Sequence, residues 1–166
     1  MRKLVSGMLI ILAAQAPATA ADDPPKPVYH YWHNWTDAAG VTHMTQCPFN
    51  NFTLKSMVPF EDPQWQDRQP EQRAQVIMTV QPAGWNTTWH DGPRVQWIIP
   101  LKGTWFVQAM DGTRVEMGPG DISLDEDQNS RDKKGHLSGN VSDGPVTLLV
   151  IQLDVAPTTN QPCHFK

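Results

Sequence analysis

The chain has 166 residues and a formal net charge of −4. That balance lacks the basic footprint of a nucleic-acid binder and offers no basic helix to a membrane surface. Seven tryptophans and fifteen prolines, with little helical periodicity, point to an all-β domain.

The opening segment, MRKLVSGMLIILAAQAPATAADD, has the parts of a secretory signal. Arg2 and Lys3 give the positive start, Leu4 to Ala14 the apolar run, and Ala18-Thr19-Ala20 the small residues before cleavage. Residues 1–20 are therefore expected to be a signal peptide, with a retained anchor as the alternative. The run is short for a bilayer span and no second one follows. Removing it leaves 146 residues, one domain's worth of chain, expected to be secreted or periplasmic. Residues 21–27, polar and proline-rich, read as a disordered lead, and 28–166 as the single domain.

VYHYWHNW and VTHMTQC, joined by the turn chemistry of TDAAG, predict an N-terminal hairpin. Alternation puts Val41, His43, Thr45 and Cys47 on one face of its second strand. His30 and His33, three apart in a strand, face opposite sides and are not expected to share a ligand. From Pro48 to Gln75 the pattern breaks into an ordered loop with room for one helical turn. AQVIMTV, WNTTWH, PRVQWIIPLKG, TWFVQAM and TRVEMG then read as strands. Pro100 implies an edge or a bulge, and Asp111-Gly112 is a two-residue hairpin turn. GPGD turns into ISLDED, whose run Asp125-Glu126-Asp127 reads as a solvated acidic loop, with one of the three as an acid or base near a cavity as the alternative. PVTLLVIQLDV is a strand buried on both faces.

Two cysteines, Cys47 and Cys163, suggest a disulfide in an oxidising compartment, tethering the tail 156–166. The alternative makes Cys47 a soft metal ligand. His164, beside Cys163, is expected to be exposed. Asn34, Asn51, Asn86 and Asn140 begin glycosylation sequons, which in a eukaryotic secretory route would mark surface positions.

The order H-x5-Q-x6-G (His90, Gln96, Gly103), then Asp111-Gly112 and Gly118-Pro119-Gly120-Asp121, then His136, resembles the cupin superfamily over roughly Ala74 to Val155. WHDGPRVQ, KKGHLSG and TDAAGVTH are similar to elements of a group of small single-barrel cupins, which extends the likeness to most of the mature chain. The resemblance implies a double-stranded jelly-roll barrel with the hairpin as an extension, and a homodimer. It also implies one transition metal ion (Cu, Fe, Zn, Mn or Ni), held by His90, Gln96 and His136. The family's second motif-one histidine is absent, with Gly92 in its place, and His43 is the candidate replacement. Imidazole nitrogens suit such metals, while an amide oxygen is a weak donor. Barrel histidines that are simply hydrogen-bonded, without metal, are the competing reading. Arg94 and Trp89 are candidates for binding a small-molecule or carbohydrate ligand. The expected function is a mononuclear-metal enzyme, oxidative or isomerising, on a small organic or carbohydrate substrate. The alternatives are a non-catalytic module binding a sugar or small acid in the barrel cavity, and a purely structural domain.

Overall fold

A computed structural model describes residues 25–165; the signal segment and the first part of the lead lie outside the described residues. Eleven strands form in chain order: β1 (Tyr29–Thr36), β2 (Thr42–Phe49), β3 (Thr53–Lys55), β4 (Gln64–Gln66), β5 (Ala74–Gln81), β6 (Gln96–Lys102), β7 (Trp105–Ala109), β8 (Arg114–Met117), β9 (Ser123–Glu126), β10 (His136–Asn140) and β11 (Val146–Leu153). The described residues contain no α-helix, only one 3-10 turn at Arg131–Lys133, so none is long and apolar enough to cross a membrane.

The strands make a six-stranded sheet, β2-β1-β9-β6-β11-β5, a three-stranded sheet, β10-β7-β8, and the β3-β4 ribbon. The large sheet is mixed, because β1 runs parallel to β9 while its other pairs are antiparallel. No sheet closes into a barrel. The N-terminal hairpin forms as the turn chemistry requires. Asp37 Oδ1 accepts the Ala39 and Val41 N–H groups, and Gly40 closes the turn at φ +78.

Alternation along each strand gives the large sheet two buried faces. One carries Met44, Ile98, Leu148 and Val150 and packs on Trp105, Val107, Ala109, Val115 and Met117 of the small sheet; here it is termed the inner face. The opposite face carries Tyr31, Cys47, Leu124 and Leu153 and is covered by Cys163 and Phe165 from the tail. Full burial of side chains of this size contributes about 1.5–3 kcal/mol each.

Several expectations need correction. The stretch from Pro48 to Gln75 holds the β3-β4 ribbon and no helical turn. WNTTWH is not a strand; Asn86 and His90 make only isolated bridges, to Gly139 and to Gly135 and His136. Of the two readings of Pro100, the edge is excluded, since β6 lies between β9 and β11, and the bulge agrees with the register shift beside it, between Thr147 and Leu148 of β11. A hairpin joins β7 and β8, but not as a two-residue Asp111-Gly112 turn: the Gly112 N–H donates to the Ala109 carbonyl at 3.1 Å, which puts Met110 and Asp111 at the centre of the turn and Gly112 at its end at φ +89. Asn34 and Asn140 are buried, so two of the four sequons do not mark the surface.

Cys47 and Cys163 are bridged, with Cα atoms 5.2 Å apart and a sequence separation of 116. The tail is also held where Tyr31 Oη donates to the Phe165 carbonyl at 3.0 Å. Cross-linking across so long a loop restricts the unfolded chain. Cys47→Ser/Cys163→Ser is expected to lose about 2–5 kcal/mol of unfolding free energy, read by urea denaturation of the oxidised protein and the variant side by side. Equal midpoints would contradict the tether.

Candidate metal centre

The register of the large sheet aligns one polar row across five strands. Gln75 pairs with Gln152, Gln152 with Gln96, Gln96 with Asp125, and Asp125 with Asn34. These residues continue the inner face beyond Ile77, Val150 and Ile98, the apolar row beside it. Gln152 Nε2 donates to Gln96 Oε1 at 3.0 Å, and Gln96 Nε2 donates to Asp125 Oδ2 at 2.9 Å. Asn34 Nδ2 donates to Asp125 Oδ1 at 2.9 Å and to Asp127 Oδ2 at 3.1 Å.

The row ends in a group of three potential metal ligands: Asp125 (2 % exposed), Asp127 (0 %) and His136 (4 %). Their ligand atoms lie within 4.8 Å of one another. His136 Nδ1 donates to Asp127 Oδ2 at 2.6 Å, and Asp127 Oδ1 accepts the Gly92 N–H at 2.7 Å. Burial and the neighbouring Asp127 charge push Asp125 up to about 7. Burial also works against ionised Asp127, but the His136 and Gly92 hydrogen bonds outweigh it and hold that carboxyl below its usual range. Burial would lower His136, yet the two aspartates carry it up to about 9. Asp127 and His136 thus favour each other's charged forms, while burial and the like charge beside it disfavour ionised Asp125.

A cation suits this group on two grounds. Two carboxylates and an imidazole are a donor set for a divalent ion. The buried Asn34 Oδ1 has no hydrogen-bond partner, and turning that amide about would offer it as a further oxygen donor.

Of the residues singled out from sequence, three come together here. His136 is a member. His90 exchanges backbone hydrogen bonds with it at 3.1 and 2.9 Å, and their rings lie 4.6 Å apart. Gln96 turns its amide nitrogen to Asp125 and its oxygen to Gln152, so what it offers the centre is a donor to a ligand. His43 lies elsewhere. It shares the Cys47 face of β2, opposite the face on which Asn34 meets Asp125, and both its nitrogens are taken by Asp111 and Asp37 at 2.8 and 3.1 Å. Arg94 lines a cleft with Arg73, Ala74, Gln75, Gln152 and Asp154. The Trp89 ring lies 4.6 Å from Lys134 Nζ.

The acidic run is buried, contrary to its reading as a solvated loop, and alternation divides it between the two faces. Asp125 and Asp127 turn inward while Glu126 meets the tail. Glu126 Oε2 accepts from His33 Nε2 at 3.0 Å and lies 2.6 Å from His164 Nε2; Oε1 accepts the Thr158 N–H at 2.7 Å. His164 is therefore partly buried and held, not free in solvent. His33 Nδ1 accepts the Cys163 N–H at 3.2 Å, which fixes the proton on Nε2. These three side chains also form a group that could hold an ion; through the hydrogen bonds just named they latch the tail.

Sequence reasoning missed Asn34 and gave Asp125 and Asp127 only a general acid-base alternative; the available signal was polar residues at period two (Ser123, Asp125, Asp127) alternating with a buried apolar one, Leu124, on the opposite face. No protein-family model matches the chain, and no curated protein matches it.

Gly92 stands where there is no room for a side chain. A Cβ there would lie 2.2 Å from Asp125 Oδ2 and 2.9 Å from Gln128 Nε2. Gly92→Ala is expected to cost about 1–3 kcal/mol as overpacking, measured by thermal or urea unfolding. A variant as stable as the parent would show that Asp125 is free to move.

Glu126 gives a pH signature. Burial alone would raise it, but hydrogen bonds from His164, His33 and the Thr158 N–H bring it from 4.5 down to about 2. Its ionised form thus adds about 3 kcal/mol of stability, present above the unfolded value and lost as pH falls towards the folded one. Unfolding free energy should drop more steeply from pH 4.5 to 2 in the parent than in Glu126→Gln. Parallel profiles would contradict the assignment.

Proposed function

We propose that this chain is an exported, cupin-like metal protein in which Asp125, Asp127 and His136 hold one divalent transition-metal ion. The observation that carries this is the buried convergence of two carboxylates and an imidazole at the end of the polar row. The oxygen-rich donor set favours Mn, Fe or Zn over Cu(I) among the expected metals. Such an ion would supply Lewis acidity; the protein's own part is to orient the ligands through Gln96 and the Gly92 N–H. The reading as a mononuclear-metal enzyme acting on a small organic or carbohydrate substrate rests on this centre.

The cupin-like jelly-roll reading draws support from the large and small sheets packed over one core and from His90, Gln96 and His136 meeting at one place. Export is supported by the signal-like start and the Cys47–Cys163 bridge. A homodimer is supported by β5, an edge strand with exposed Val76, Met78 and Val80 on one side. A non-catalytic binding module is the second reading, favoured by the near-complete burial of all three ligands, which leaves little room for an open coordination position.

Elemental analysis of the exported protein, purified without chelator, tests the centre. About one equivalent of a single transition metal is expected, lost in Asp127→Asn and in His136→Gln but retained in His43→Ala. Absence of metal after incubation with Mn, Fe, Zn, Cu and Ni salts would overturn the proposal.

A further inference from the structure

We infer that the cleft at the other end of the polar row binds a small carboxylate that also carries a hydroxyl or ammonium donor, and that the row connects this ligand to Asp125. The inference rests on the metal-centre reading for its functional meaning, but the cleft is defined by separate residues.

The cleft has a volume of about 160 Å³ and is lined by Arg73, Ala74, Gln75, Arg94, Gln152 and Asp154. It forms where the end of β11 runs between the residues that precede β5 and β6. Asp154 N–H donates to the Arg73 carbonyl at 3.0 Å, and Leu153 N–H donates to the Val95 carbonyl at 2.8 Å. Gln128 Nε2 fixes the Arg94 carbonyl at 2.8 Å. Both arginines are thus anchored through the backbone at or next to their own positions, while the side chains stay available. Among the described residues the lysine and arginine ion pairs are Arg114–Glu116 and Lys133–Asp91, and neither Arg73 nor Arg94 is engaged in one.

Two unpaired guanidiniums on one small cleft suit a carboxylate, whose planar oxygens match their donor forks. Asp154 in the same lining opposes a simple polyanion and selects a ligand that brings a donor of its own. Gln75 and Gln152 add amide groups that serve as donor or acceptor. The volume admits a molecule of a few heavy atoms and excludes a polymer. Together these features specify a short hydroxy acid or amino acid.

The second observation is the connection. Gln152 lines the cleft and donates to Gln96, which donates to the ligand-set carboxylate Asp125. An amide can reverse both of its hydrogen bonds together by turning over. A ligand carboxylate that takes the Gln152 Nε2 donor competes for it with Gln96 Oε1, and so shifts the Gln96 amide that donates to Asp125.

Calorimetric titration of the full chain with lactate, alanine and propionate tests the cleft, with elemental analysis run on the same samples. Lactate or alanine should saturate at one site, and which of the two binds tells hydroxy acid from amino acid. Propionate, without the donor, should bind at least tenfold more weakly. Arg73→Gln/Arg94→Gln should weaken the preferred ligand at least tenfold while metal content is unchanged. Nuclear magnetic resonance should show the Gln96 side-chain amide moving on saturation in the parent and staying still in Gln152→Leu. Failure of both ligands to bind, binding unchanged in the double arginine variant, or a stationary Gln96 amide in the parent would overturn the inference. Arginine-dependent binding in a protein without metal would instead overturn the metal centre and leave the cleft standing.

Discussion

Two carboxylates side by side in a protein interior must each find donors, because an uncompensated buried charge costs several kcal/mol. Asp125 and Asp127 meet that demand from four directions: Asn34 on β1, Gln96 on β6, the Gly92 N–H, and His136 on β10. The large sheet depends on this arrangement for its register. Slipping β9 by one residue against β6 or β1 would turn Asp125 to the tail face and bring Glu126 inward, orphaning every donor in the row.

The same alternation explains the division of labour between the two faces. Inward, the polar row leads from the arginine-lined cleft to the metal-ligand group above an apolar core. Outward, Glu126 gathers His33 and His164 and locks the tail that Cys163 tethers. One acidic triplet thus serves both a candidate chemical centre and a stability latch, and the two titrate in opposite directions: Asp125 is raised and Glu126 lowered. The difference arises from charge balance. Asp125 has a like charge beside it, whereas Glu126 has two imidazoles and a backbone N–H.

Much of the fold was legible in the sequence because strand periodicity and turn chemistry are local. TDAAG, the turn around Asp111-Gly112 and the apolar run of β11 each carry their own signal. The segment from Trp85 to His90 misleads because its β-formers satisfy only single bridges to β10 and its flank. Of the site, His136, His90 and Gln96 were within reach, as they stand on motif positions. Asp125 and Asp127 were in view only as the minor reading of the acidic run, because adjacent acidic residues ordinarily face solvent and the partners that allow their burial are distant in the chain. His43 could have been set aside from sequence: its parity with Cys47, taken with a disulfide to the tail, puts it on the tail face.

The most direct measurement is anomalous X-ray diffraction from crystals of the exported protein grown with the metal it carries on purification. The account predicts one strong peak within about 2.0–2.3 Å of Asp125, Asp127 and His136 side-chain atoms, a usual range for such ligands. It also predicts the Asn34 amide turned with Oδ1 inward. A peak at His33, Glu126 and His164, or full metal content with no peak at the inner group, would contradict it.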